Sequence, residues 1–128
     1  MPPERITASE LFPPPDYAHA VRAGSLIHTA GAVPLDAEGN LVGEADARAQ
    51  TVQVLANLEA QLAAAGATPA HVVKLVLYVA GERREDLHAV WDIVRASAFA
   101  GAASTLLGVS FLGYTGQLVE IEAVAVLD

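Results

Sequence analysis

The chain is 128 residues long, 53% hydrophobic and only 17% charged, and its formal net charge is −8. That acidic balance, with Lys74 the only lysine and 5% aromatics, speaks against nucleic acid as a partner, which calls for a basic surface and stacking platforms. Cysteine is absent, which excludes disulfides, thiolate catalysis and cysteine-based zinc sites.

Prolines at 2, 3, 13, 14 and 15 mark an N-terminal region of short extended pieces and turns, with residues 4–8 as a short edge strand. From Tyr17 to Gly31, two β-like runs flank Ala23-Gly24, which predicts a hairpin. Pro34 to Gly43 reads as a loop turning at Glu38-Gly39-Asn40. Residues 44–65 predict a helix whose apolar face combines Ala45, Ala49, Val52 and Ala56 with Leu55, Leu58 and Leu62. Gly66 stands where a left-handed C-terminal cap is expected. Residues 71–80 are nearly unbroken apolar and β-branched, a buried strand. A second helix over about 83–98 places Leu87, Val90, Trp91, Val94 and Ala98 on one stripe, with Glu85 and Asp86 suiting its N-terminal dipole. Strands over about 104–111 and 117–127 close the chain.

This order predicts one α+β domain over residues 1–128, a mixed sheet with two helices on one face. The sheet's other face stays apolar, so association with copies of the same chain is expected. No charge occurs between Arg95 and Glu120, yet Gly101, Gly108, Gly113 and Gly116 and several hydroxyl residues break that stretch, so it does not read as a membrane span. No apolar signal-type run follows Arg5, and a soluble protein of the cytoplasm is the expectation.

Glu120 and Glu122 alternate with apolar residues and share one face of the last strand. They read either as a cleft carboxylate that orients water or as two charges on a wet surface. Lys74, the one charge in an apolar strand, reads as half of a structural ion pair with Glu122 as candidate partner, ahead of a Schiff-base role. His19, His28, His71 and His88 show no metal-ligand spacing, and neither a metal nor a cofactor is expected. Ser104 and Thr105 lack the surroundings of a nucleophile and read as hydrogen-bonding residues.

Taken together, YAHAVRAG at 17–24, TAGAVPLD at 29–36, QTVQVLANLEAQLAAAGAT at 50–68, HVVKLVLYVA at 71–80 and VEIEAVAV at 119–126 resemble the Rid family, the reactive-intermediate deaminases of YjgF type. The resemblance is collinear from about Arg5 to Val126. It implies a chorismate-mutase-like α+β fold and a homotrimer with a barrel of sheets at its centre and small-molecule clefts between subunits. It also implies hydrolysis of 2-imino and 2-enamino acids, in which an arginine grips the substrate carboxylate and a glutamate positions water. Carried onto this chain, Tyr17 matches the family's cleft tyrosine, Gly31 its cleft glycine and Glu120 its glutamate. The arginine is missing: AASTLLGV at 102–109 puts Ser104 or Ala103 in its place, and no arginine follows Arg95. Trp91 stands where active members often carry asparagine.

A guanidinium holds a carboxylate by two parallel charged hydrogen bonds, and a serine hydroxyl offers one neutral donor. Two functions are therefore expected to compete. One is hydrolysis of an imine or enamine other than a simple 2-imino acid, with Glu120 handling water and Trp91, Ser104 and Thr105 shaping a more neutral cleft. The other is a trimer that binds a small metabolite without turnover. Ribonuclease activity, attached to some members of the family, fits the acidic charge poorly.

Overall fold

A computed structural model of the chain describes residues 2–128. Strands β1 (Glu4–Ile6), β2 (Ala20–Ala23) and β3 (Leu26–Thr29) precede helix α1 (Ala47–Ala64). Strand β4 (Val72–Ala80), helix α2 (Arg84–Val94) and strands β5 (Ala103–Val109) and β6 (Val119–Val126) follow. They form one six-stranded sheet in the order β1-β2-β3-β6-β4-β5. Only the β4–β5 pair is parallel, as its α2 crossover requires. This is the expected α+β fold, with both helices on one face of a mixed sheet.

The period-2 alternation sorts the strands cleanly. Leu75, Leu77 and Val79 of β4 and Val119, Ile121, Ala123 and Ala125 of β6 are buried beneath the helices. Glu120, Glu122, Val76, Tyr78 and Lys74 occupy the open face. Val21, Leu26, Leu107, Val124 and Val126 extend that face, which no element among the described residues covers.

Helix α1 starts three residues later than the sequence pattern predicts, because Asp46 caps it by accepting from the Ala49 amide at 3.0 Å. It ends as expected: Gly66, at φ 90°, donates to Ala63 O, and Ala67 donates to Leu62 O, the Schellman pattern. Its buried face differs from the expected one. Val52 is 60% exposed and Ala56 also faces water, while Gln50, Asn57 and Gln61 are buried beside Val54, Leu58 and Leu62. The amides go inside because loop carbonyls there need donors. Asn57 Nδ2 donates to Val33 O at 2.7 Å and Leu35 O at 2.9 Å, and Gln61 Nε2 donates to His19 O at 2.8 Å and Ala30 O at 3.1 Å.

Helix α2 is shorter than the expected 83–98 segment. The Asp86 carboxylate accepts from the Arg83 amide at 3.1 Å to start it. At the other end the Ser97 hydroxyl donates to Val94 O and accepts from the Phe99 amide, turning the chain out of the helix. Phe99, buried, takes the core place that the stripe assigned to Ala98, which is exposed.

The ion pair expected of Lys74 does not form within the chain. Its Nζ donates to Thr105 Oγ1 at 2.8 Å across the β4–β5 pair. Glu122 accepts instead from the Tyr78 hydroxyl, its diagonal neighbour across β4 and β6. That hydrogen bond, then burial and the charges of Glu122 and Glu120, push the Tyr78 hydroxyl up to about 12. No helix among the described residues is long and apolar enough to cross a membrane.

Candidate functional site

Three segments converge at the end of β6 where Glu120 emerges. The first is the turn after β3. Ala32 exchanges hydrogen bonds with Ile121, donating to its carbonyl at 2.8 Å and accepting from its amide at 3.3 Å. This bridge carries Gly31 directly over Glu120. A Cβ built on Gly31 would fall 2.5 Å from Glu120 Cδ and 2.6 Å from Cγ, distances that real side chains do not adopt. The carboxylate occupies the space a side chain at this position would need, so any larger residue would have to displace Glu120.

The second segment is the proline-rich run before β2. Asp16 sits at φ 59°, a left-handed conformation that aspartate tolerates, and it turns the chain so that Tyr17 borders the cleft. His19 anchors this run by accepting at Nδ1 from the Ala8 amide at 2.9 Å. Burial holds the His19 pKa below the usual histidine value, against an opposing hydrogen bond to the Phe12 backbone.

The third segment is the loop between β5 and β6. Gln117 organises it: Oε1 accepts from the Tyr114 amide at 3.1 Å, and Nε2 donates to Val119 O and to Glu120 Oε1, each at 3.0 Å. Gln50 of α1 fixes the same loop, donating to Gly43 O at 3.1 Å and Gly116 O at 3.0 Å and accepting from the Leu118 amide at 2.7 Å.

The result is an open cleft of about 770 Å³ bordered by Pro15, Tyr17, Gly31, Phe111, Tyr114 and Glu120. Glu120 is half-buried, with one oxygen held by Gln117 and the other beside Gly31. The Tyr17 hydroxyl is pushed up to about 12 by burial first, then by Tyr114 and by the Glu120 charge, so at neutral pH it is a donor and not a base. Four of the arginines are engaged elsewhere. Arg48 and Arg95 face Asp92, Arg83 faces Asp86, and Arg22 donates to Gly24 O and Ala65 O. No arginine or lysine among the described residues borders the cleft. Nor does any group of three or more His, Asp or Glu among them lie close enough to hold a metal.

Of the residues singled out in the sequence, Tyr17, Gly31 and Glu120 are brought together. Ser104, Thr105 and Trp91 do not border this cleft within one chain. Ser104 pairs with Leu75 and lies on the helix side of β5, its hydroxyl donating to Ala102 O at 2.9 Å. Thr105, one residue on, shares the open face with Val76 and Glu122. Trp91 packs from α2 against the core. The sequence reading missed Phe111, Tyr114 and Gln117, together with the α1 amides. A legible signal existed for some of them: Gln50, Asn57 and Gln61 lie on one helical face with Val54, and Gln117 stands three residues before Glu120.

Known proteins share this architecture. The model of the family described as endoribonuclease L-PSP matches residues 7–127. A RutC family protein of Pyrococcus abyssi is 33% identical over 78 residues, 59% of this chain and 61% of that protein, so the match spans about three-fifths of that relative. The crystal structure of YyfA from Yersinia pestis, of the Rid protein family, superposes with a TM-score of 0.87 at 29% identity, covering 98% of this chain and 100% of that one. The YjgF gene product of E. coli gives a TM-score of 0.82 at 27% identity, over 96% and 98% of the two chains. Because the family model runs from the first strand's end to the last strand's end and these structures share the whole fold, the chain belongs to the endoribonuclease L-PSP family and is of the Rid, or YjgF, type.

Proposed function

We propose that the chain acts as a homotrimer with small-molecule clefts between subunits, and that Glu120 positions water for hydrolysis of an imine or enamine lacking the carboxylate of a 2-imino acid. The observation that carries this reading is the Glu120 carboxylate itself, seated over Gly31, held by Gln117 and facing a largely apolar cleft that no arginine or lysine of the same chain borders. In the reaction, water adds to the C=N carbon, and collapse of the carbinolamine releases ammonia or an amine and leaves a carbonyl. Glu120 accepts a proton from the attacking water and returns one to the departing nitrogen. A substrate carboxylate about 4 Å from Glu120 would add repulsion of roughly 4 kcal/mol at an effective dielectric near 20, with no guanidinium to offset it.

The uncovered open face, with Leu26 and Val126 exposed and Val21, Val76, Leu107 and Val124 beside them, supports assembly with copies of the same chain. Light scattering at micromolar concentration should give the mass of three chains, and a monomer would remove the intersubunit site. The edge position of β5, with Thr105 on the open face, supports a role for Thr105 at a neighbouring subunit's cleft, with Ser104 and Trp91 behind it on the helix side.

The hydrolytic test measures ammonia or amine release. Enzymatically generated 2-aminoacrylate should turn over at the uncatalysed rate, and a carboxylate-free imine faster. Glu120→Gln should lower the faster rate by about 10²–10⁴, the usual worth of a general base. Thr105→Arg, whose side chain reaches the open face, should raise 2-aminoacrylate turnover more than Ser104→Arg, whose side chain points to the helices. Rapid wild-type hydrolysis of 2-aminoacrylate would sink the substrate assignment. The second reading, a binding trimer without turnover, draws on the same lack of a cationic grip, and predicts that Glu120→Gln changes affinity with no rate to lose. An RNA-cleavage assay with Glu120→Gln as control tests the ribonuclease named in the family's description, against which the net charge of −8 weighs.

A further inference from the structure

Between β1 and β2 the chain runs as a strap, residues 7–18, that brings Tyr17 to the cleft. Its prolines at 13, 14 and 15 have no amide proton, so the strap has few donors with which to join the sheet. Its one backbone–backbone hydrogen bond among the described residues is local, from the Leu11 amide to Ala8 O at 3.2 Å. The strap is tied to the fold through one ring instead. His19, 6% exposed, accepts at Nδ1 from the Ala8 amide at 2.9 Å, and the same ring bonds the Phe12 backbone. We propose that His19 is a positioning residue with a pH-sensitive grip: its neutral imidazole holds the strap down and Tyr17 at the cleft, and protonation of the ring frees both. The proposal concerns the chain alone and depends neither on the ligand nor on subunit assembly.

An imidazole that accepts at Nδ1 is neutral and carries its proton on Nε2. Protonation puts a second N–H at Nδ1, where it faces the Ala8 N–H donor, so the bond is lost. Ala8 is 2% exposed, and its amide is left without a partner while the strap stays closed. The backbone of His19 does not move with the ring. Its carbonyl accepts from the Ala30 amide at 2.9 Å and from Gln61 Nε2 at 2.8 Å, so the strap and not β2 gives way. A void of about 30 Å³, enough for a water, lies beside the ring and gives it room to turn. Around that void stand the neutral amides Asn57 and Gln61 from α1, Tyr114 from the loop between β5 and β6, and Tyr17 from the strap. Gly31 closes it on the cleft side, with Glu120 beyond. No carboxylate, lysine or arginine among the described residues lines it, so nothing there offsets a proton on the ring. Burial accordingly keeps the His19 pKa below the usual histidine value. As pH falls the unfolded chain takes up this proton before the folded one does, so the stability that His19 contributes declines from the ordinary histidine range downward.

The test is an NMR pH titration of the full chain with no ligand added. In the wild-type protein the His19 ring nitrogens should titrate below the usual histidine value, and the Tyr17 amide shift should move with the same midpoint. Across that midpoint the Ala8 amide should lose at least about tenfold of its hydrogen-exchange protection. The Leu77 and Ile121 amides, beneath the helices, should keep theirs. His19→Gln keeps an acceptor for Ala8 and a donor for Phe12 but takes no proton, so Ala8 should stay protected and Tyr17 unmoved over about pH 5–7.5. His19→Leu offers neither group, and both residues should be released at every pH. Three results overturn the proposal: a ring that titrates while Ala8 and Tyr17 stay in place, a strap that opens at the same pH in His19→Gln, or a ring that stays neutral until the whole domain unfolds in acid. If a variant fails to fold, the wild-type midpoints decide alone. The hydrolytic reading stands or falls separately, on Glu120→Gln.

Discussion

The Gly31→Ala variant is expected to fold and assemble, and to lose about 10²-fold of its imine hydrolysis, the effect that a displacement of about 1 Å has on a positioned group. Gly31 is not one of the glycines at positive φ, so the methyl group brings no backbone strain. What it meets is the Glu120 side chain, 2.5 Å from Cδ and 2.6 Å from Cγ. A carboxylate on flexible bonds yields more readily than the Ala32–Ile121 bridge beneath it. Glu120 therefore swings away, its bond from Gln117 breaks, and the oxygen beside Gly31 leaves the cleft. The stability cost stays within the roughly 1–3 kcal/mol typical of overpacking. Melting temperature and hydrolysis rate measured on one preparation separate the two effects. Full activity in Gly31→Ala would show that the position of Glu120 does not matter, and with it the proposed role for that residue would go.

The largest stability effect is expected from Gln50→Leu. Gln50 is 0% exposed and close to leucine in volume, so packing changes little. The substitution removes three hydrogen bonds at once: Gly116 O and the Leu118 amide lose their partner, while Gly43 O keeps the Asp46 amide at 3.0 Å. Each unsatisfied buried group costs about 1–3 kcal/mol. A total of roughly 3–5 kcal/mol is expected, a large share of the ~5–15 kcal/mol that holds a domain together. Urea denaturation should show the midpoint falling with the slope unchanged. Residues 116–118 lead into Gln117 and Glu120, so the cleft should loosen as well. Val52→Thr on the same helix is the contrast. Val52 is apolar but exposed, and its replacement should stay within about 0.5 kcal/mol. If Val52→Thr proves the more costly of the two, the buried face assigned to α1 is wrong.

The amino-acid sequence by itself determined the α+β class, the order of elements, the Gly66 cap, and the shared face of Glu120 and Glu122. These are local properties: a strand repeats every two residues and a helix every 3.6, so each segment states its own type and its own faces. It could not say which partner each face meets. Only the tertiary structure separated the two glutamates, because Tyr78 of β4 takes Glu122 while Gly31, from a distant segment, and Gln117, from the loop just before β6, frame Glu120. Lys74 was misread for the same reason: its partner Thr105 lies on a parallel strand reached through a whole helix. Ser104 and Thr105 show how little separates two outcomes. The pairing of Ser104 with Leu75 turns Ser104 to the helices and Thr105 to the open face, and a slip of one residue would exchange them. The α1 amides were hidden by composition. A glutamine or asparagine reads as surface until the loop carbonyls it must satisfy are folded against it, and those carbonyls come from the segments that build the cleft.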